Sequence, residues 1–246
     1  MGGVMAQIAR VFFALLLSIL WVPSHAVAAL IFSEDFNDGT VDPAVTSSTT
    51  TLAVDTAPSG ESFLGRDDGT NTTEPSNRGL SNDTVTLSLS DLPAHTSATL
   101  DFSLYVLNSM DGGEPFVVSE AAAGVLLALN CSNVFGVVQC NRTAPSPGTQ
   151  SPDSTNTLGF SFLNSGVTAS DAIYNFSLPF SHSASSLALT FSYASLQSLA
   201  DESWGLDNIA VNLVTENGST VPEPGSLALL GIALGAIGLT RKRKKM

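Results

Sequence analysis

A two-residue alternation of apolar and polar side chains governs how the middle of this chain can fold. Thr84 to Ser90 reads Thr-Val-Thr-Leu-Ser-Leu-Ser, which as an extended segment puts Val85, Leu87 and Leu89 on one face and hydroxyls on the other. Ala98 to Leu107 repeats the pattern with Leu100, Phe102, Leu104 and Val106. A helix would scatter these residues around its circumference, whereas a strand with one buried face uses all of them. More continuously apolar strands are expected at Gly124–Leu129 and Val134–Val138. Further strands are expected at Gly159–Leu163, Ala172–Leu178, Leu187–Tyr193 and Leu206–Val214. Turn formers separate them at Asp67-Asp68-Gly69, Leu92-Pro93-Ala94, Asp111-Gly112-Gly113 and Ala144–Asp153. The Thr46–Thr51 run and Ala144–Thr157 read as loops, and only Glu114–Ala123 and Ser195–Ala200 hint at helix. Many short strands between turn signals, with no fixed-period repeat, indicate an all-β, antiparallel β-sandwich of jelly-roll type.

The two ends follow different rules. Arg10 precedes an apolar run from Val11 to Val22, then Pro23 and Ala26-Val27-Ala28. A positive start, an apolar centre and an A-x-A site describe a signal helix read by the Sec export machinery and cut after Ala28. At the other end Val221-Pro222-Glu223-Pro224 leads into sixteen uncharged residues, Gly225 to Thr240, and then Arg241-Lys242-Arg243-Lys244-Lys245. The prolines end any preceding strand. The apolar run, about 24 Å long as a helix, is short for a hydrocarbon core of about 30 Å but within what snorkelling and bilayer thinning accommodate. The five cations hold the C-terminus on the cytoplasmic side. These readings divide the chain into a signal peptide (1–28), a sandwich ectodomain (29–215), a linker (216–224), a transmembrane helix (225–240) and a basic tail (241–246).

Charge is partitioned the same way. Between the ends the only cations are Arg66, Arg78 and Arg142, against all twenty-two acidic residues, Glu34 to Glu223. This lysine-free portion repels phosphate backbones, so nucleic acid is not an expected partner. Cys131 and Cys140 are its only cysteines and are expected to form one disulfide in an oxidising compartment, with a strand or hairpin between them.

Val-Pro-Glu-Pro, a glycine-bearing apolar segment and a terminal basic cluster, in that order, resemble the PEP-CTERM sorting tail of exported bacterial proteins. The resemblance implies recognition and cleavage near Pro222-Glu223-Pro224 by an exosortase-type membrane peptidase, followed by transfer to the cell surface or an exopolysaccharide matrix. Glu223 and its prolines are then substrate residues, and Arg241, Lys242 and Arg243 belong to the part left behind. Leu92-Pro93-Ala94-His95-Thr96, Phe102-Ser103-Leu104-Tyr105-Val106, Asp111-Gly112 and Trp204-Gly205-Leu206-Asp207-Asn208 resemble sandwich domains of such proteins, similar to laminin-G-like and carbohydrate-binding jelly rolls. Met110 stands where an aromatic is expected before the Asp-Gly pair.

Two acidic clusters, Glu34-Asp35-Phe36-Asn37-Asp38 and Asp201 to Asp207, lie at opposite ends of the domain's sequence, and since the first and last strands of a jelly roll often pair, the two could meet. Glu34, Asp35 and Asp207 then offer hard oxygen ligands to Ca²⁺; the alternative is that Asp207 and Asn208 order a turn without metal. Trp204 is either a platform for a sugar ring or a core plug. The loop at Arg66–Asn71 has the flavour of a calcium loop but misses the EF-hand spacing. No G-x-S-x-G, H-E-x-x-H, phosphate loop or dinucleotide fingerprint occurs. The expectation is therefore a non-catalytic surface or matrix protein. A calcium-assisted carbohydrate-binding module is the alternative, and a polysaccharide hydrolase acting through paired carboxylates a more distant one.

Overall fold

The computed structural model describes residues 26–66, 78–164 and 167–216. Among them every regular element is a strand. In chain order these are β1 (Ala26–Glu34), β2 (Val45–Ser47), β3 (Leu52–Thr56), β4 (Ser62–Arg66), β5 (Thr84–Leu89), β6 (Ser97–Asn108), β7 (Asp111–Glu120) and β8 (Gly124–Ser132). There follow β9 (Gln139–Ala144), β10 (Gly148–Gln150), β11 (Ser154–Thr155), β12 (Ser161–Asn164), β13 (Val167–Ser170), β14 (Ala172–Ser181), β15 (Leu187–Tyr193) and β16 (Glu202–Glu216). One seven-stranded sheet runs β11-β14-β6-β16-β4-β3, with β1 also paired to β16. The other runs β10-β9-β8-β7-β15-β5-β2, and β12 and β13 form a separate ribbon.

The alternation expected of β5 and β6 builds the interface between the sheets. Val85 and Leu87 from one sheet and Leu100, Phe102, Leu104 and Val106 from the other are all buried in one core. Phe102 stacks on Phe176 of β14 at 5.1 Å between ring centroids and meets Phe191 of the opposite sheet edge-on at 5.3 Å. Each such side chain contributes on the order of 1.5–3 kcal/mol by leaving water. Beyond Phe102 the alternation stops mattering, because Ser103, Tyr105 and Leu107 are buried on the outer face too. There Tyr105 and Leu107 join Phe63, Leu158 and Phe160 in a second cluster under the segment that leads into β12. Gly205 is required at this crowded place: a Cβ would lie 2.9 Å from Cε2 of Phe63.

Three local expectations are corrected. Glu114–Ala123 is no helix; its first seven residues belong to β7, which pairs with both β8 and β15, and sheet hydrogen bonding overrides its helical composition. Ser195–Ala200 is irregular. Val134–Val138 is a turn: Phe135 and Gly136 both have positive φ (54° and 75°), and the Val137 N–H donates to the Val134 carbonyl at 2.9 Å. This turn closes the β8–β9 hairpin, in which Cys131 and Cys140 are directly opposed and joined by the expected disulfide. The Thr46–Thr51 and Ala144–Thr157 loops carry the short strands β2, β10 and β11.

Candidate metal centre

The corner between β6 and β7 is shaped by local backbone chemistry. Asn108 ends β6 in the left-handed region (φ 58°), Met110 is buried as an anchor, and Gly112 supplies a second positive φ (98°). The β7–β8 register is irregular between Asp111 and Pro115, yet Glu114 keeps the buried phase of Phe116, Val118 and Glu120, so the strand's own alternation carries its carboxyl inward. Its Oε2 accepts from the Gly112 and Gly113 N–H groups at 3.2 and 2.9 Å. β16 runs antiparallel to β6 and places Glu202 opposite Asn108. One oxygen each from Asp111, Glu114 and Glu202 consequently lies within 4.8 Å of the others. Among the described residues this is the one group of three ligand-type side chains so gathered.

The cluster is electrostatically uncomfortable. Asp111 is exposed, but Glu114 and Glu202 are buried, Glu202 completely. Burial pushes the Glu202 carboxyl up to about 7, with repulsion from Glu114, Asp111 and Asp201 adding to it; the Gln197 N–H, donating to Oε2 at 2.7 Å, works the other way. Burial also raises Glu114, helped by Asp111. Among the described residues Glu202 Oε1 has no hydrogen-bond partner, and neither has the buried Tyr193 hydroxyl, which feels the charges of both glutamates. Asn133, whose N–H donates to the Met110 carbonyl just before Asp111, likewise leaves its Oδ1 unpartnered.

The residues expected to ligate calcium are used differently. β1 and β16 do pair, so Glu34 at the end of β1 and Asp207 on β16 belong to one sheet. Yet Glu34, Asp35 and Asp207 are not among the carboxylates that converge. Glu34 accepts from the Phe36 and Asp42 N–H groups through its two oxygens, and Asp35 from the Asn37 N–H at 3.1 Å. Asp207 sits at a bulge in β16 and accepts from the Tyr105 hydroxyl at 2.8 Å and from the N–H and Nδ2 of Asn208. These bonds fit the turn-ordering alternative for Asp207 and Asn208. Burial raises its carboxyl to about 6 against the pull of those donors, with Glu61 and Asp35 adding repulsion.

Of the two alternatives for Trp204, the structure shows the core plug. It is fully buried, packs on Phe116 and Tyr193, and donates its indole N–H to the Ser81 carbonyl, so neither ring face is open to a sugar. The exposed aromatic ring among the described residues is Phe135, at the tip of the disulfide-closed hairpin. Ala28 lies on β1. Pro222, Glu223, Pro224, Arg241, Lys242, Arg243, the transmembrane helix and most of the signal peptide lie outside the described residues, as does Asp67–Asn71. Among the described residues no helix is long and apolar enough to cross a membrane.

Sequence reasoning passed over Asp111 and Glu114. Asp111-Gly112-Gly113 reads as a turn, and nothing local announces that Glu202 will face it. It also passed over the histidine pair: Nε2 of His95 lies 2.7 Å from Nδ1 of His182, with the outer nitrogens on the Pro93 and Ser186 carbonyls.

Two antiparallel sheets around one core define a β-sandwich domain. The tail adds a sorting address: residues 220–244 match the PEP-CTERM protein-sorting motif. No curated protein matches the chain. Among solved structures the chain is similar to the K3 adhesin domain of Lys-gingipain from Porphyromonas gingivalis (14% identity, 74% of this chain and 99% of that one, TM-score 0.41). It is also similar to a mannan-recognising carbohydrate-binding module (12%, 76% and 99%, 0.42) and a family 35 carbohydrate-binding module from Clostridium thermocellum (9%, 76% and 98%, 0.32).

Proposed function

We propose that this is an exported, non-catalytic surface or exopolysaccharide-matrix protein. After Sec-dependent export, its tail holds it in the membrane until an exosortase-type peptidase cleaves near Pro222-Glu223-Pro224. The match of residues 220–244 to the sorting motif carries this reading. It is supported by a sandwich whose compact unit, Ala28–Thr215, stops just short of that motif. The hydrolase reading draws no support from Glu34 and Asp207, whose carboxylates are taken up by backbone N–H groups and by the Tyr105 hydroxyl. The test is intact-mass analysis of the protein from surface and medium fractions of its host, beside a Pro222→Ala/Glu223→Ala/Pro224→Ala variant. The wild-type chain is expected to lack both its signal and its basic tail, and the variant to stay full-length at its C-terminus in the membrane. Identical processing and distribution of the two would refute the reading.

Polysaccharide binding is a second reading, favoured by Phe135: 75% of its surface is exposed on a hairpin held by the disulfide. An aromatic ring held out in this way suits stacking on a sugar face. Co-sedimentation with the host's own exopolysaccharide, lost in Phe135→Ala, is the expected result. Co-sedimentation unchanged by that substitution, or none by the wild type, would remove this role.

A further inference from the structure

We propose that Asp111, Glu114 and Glu202 form a calcium site that fastens the β6–β7 corner to the start of β16. The donor set is entirely oxygen, three carboxylates without nitrogen or sulfur, which selects a hard cation. Their oxygens, within 4.8 Å of one another, fit across one ion whose ligands stand about 2.3–2.6 Å away. Magnesium, at about 2.0–2.1 Å, demands a tighter and more regular shell.

An acidic cluster alone would say little, since this chain has acids to spare. The added observation is Glu202, completely buried, with one oxygen on the Gln197 N–H and the other on nothing. An uncompensated carboxylate oxygen in such a place is costly, and among the described residues no cationic side chain pairs with any of the three acids. A divalent cation supplies the missing partner and turns the mutual repulsion of the three groups into attraction. Exposed Asp111 gives the ion its way in from solvent, and carbonyl groups or waters fill the remaining positions. Such a site joins segments far apart in sequence and strengthens a sandwich that works outside the cell.

The test uses the full chain stripped with chelator and titrated with CaCl₂ alone. One site is expected by calorimetry, with a Kd of about 10⁻⁴–10⁻³ M as in extracellular modules, and a Tm that rises with calcium and rises less with magnesium. Asp111→Asn, at an exposed position, is expected to fold and to weaken binding at least tenfold, while Asp35→Asn leaves it unchanged. Glu202→Gln removes the buried charge; it is expected to raise the Tm of the metal-free protein and abolish the calcium response. Terbium luminescence sensitised by Tyr193 and Trp204 gives a readout of position, and is expected to vanish in Asp111→Asn. No heat and no Tm change up to about ten times the expected Kd would overturn the proposal. So would wild-type affinity in Asp111→Asn, or a loss confined to Asp35→Asn.

Discussion

Replacing Asp171 by alanine should be among the most damaging single changes in the sandwich. The residue is 1% exposed, and its carboxylate accepts three backbone N–H groups. Oδ1 takes those of Thr157 and Leu158 at 3.0 and 3.1 Å, and Oδ2 that of Phe160 at 3.0 Å. Its carbonyl adds a fourth tie, to the Asn156 N–H at 3.0 Å. Together they hold the segment that lowers Leu158 and Phe160 onto Phe63 and Tyr105. Alanine strands the Leu158 and Phe160 donors in the interior, whereas Thr157 is exposed enough to be hydrated. At about 1–3 kcal/mol for each stranded donor the loss is about 2–6 kcal/mol. Asparagine keeps one oxygen and its two bonds but presents an NH₂ to the Phe160 N–H, so it should cost about 1–3 kcal/mol. Urea denaturation of the three proteins gives these values directly, with m unchanged if only the native state is affected. An alanine variant within about 1 kcal/mol of wild type, or less destabilised than the asparagine variant, would refute the reasoning.

Two further outcomes follow from the same bookkeeping of buried groups. Asp207 has its carboxyl raised from 3.8 to about 6, so between those values the folded state holds a proton that the unfolded state has lost. Its contribution to stability therefore falls as pH rises through that window, by up to about 3 kcal/mol at about 1.4 kcal/mol per pH unit; this fall in unfolding free energy should be missing from Asp207→Asn, and a wild-type slope in that variant would sink the assignment. Cutting the disulfide with Cys131→Ser/Cys140→Ser opens a loop of sequence separation 9 and should cost about 2.5 kcal/mol by loop entropy. A loss under about 0.5 kcal/mol in chemical denaturation would show that the β8–β9 pairing already closes the hairpin in the unfolded chain.

What was legible in the sequence is what local physics writes there. β5, the inward face of β6 and β15 were readable because period-two alternation is set by the pleat itself, and the disulfide because no other partners were at hand. The pairing of first and last strands was also anticipated. What failed had its cause elsewhere in the chain. Val134–Val138 looked like a strand by composition, yet it has to reverse direction so that Cys131 can face Cys140. Glu114–Ala123 looked helical, but neighbours on both sides supplied sheet hydrogen bonds. The convergence of Asp111, Glu114 and Glu202 has no local signal, because it depends on a bend after Asn108 and on the register of β16.

The scarcity of cations explains how the buried acids are handled. With three arginines and no lysine between Glu34 and Glu223, ion pairing has little to offer. Arg66 approaches Asp83 at 3.8 Å and Arg78 approaches Asp55 at 3.6 Å. The other buried carboxylates turn to backbone and hydroxyl donors. Asp171 collects three N–H groups, Glu120 takes those of Ala122 and Ala123, and Asp207 takes Asn208 and the Tyr105 hydroxyl. These acids draw their donors from backbone at a loop or bulge, so the residues that serve them include core members such as Leu158, Phe160 and Tyr105. At Glu202 the strategy stops halfway: Gln197 serves one oxygen, β16 runs straight into its pairing with β6, and no further N–H turns toward the second. Two more carboxylates arrive at the same place from β7. Among the described residues the other buried acids meet a nearby donor, whereas here three acids gather and one oxygen of Glu202 has none; a cation from outside completes the structure at that place.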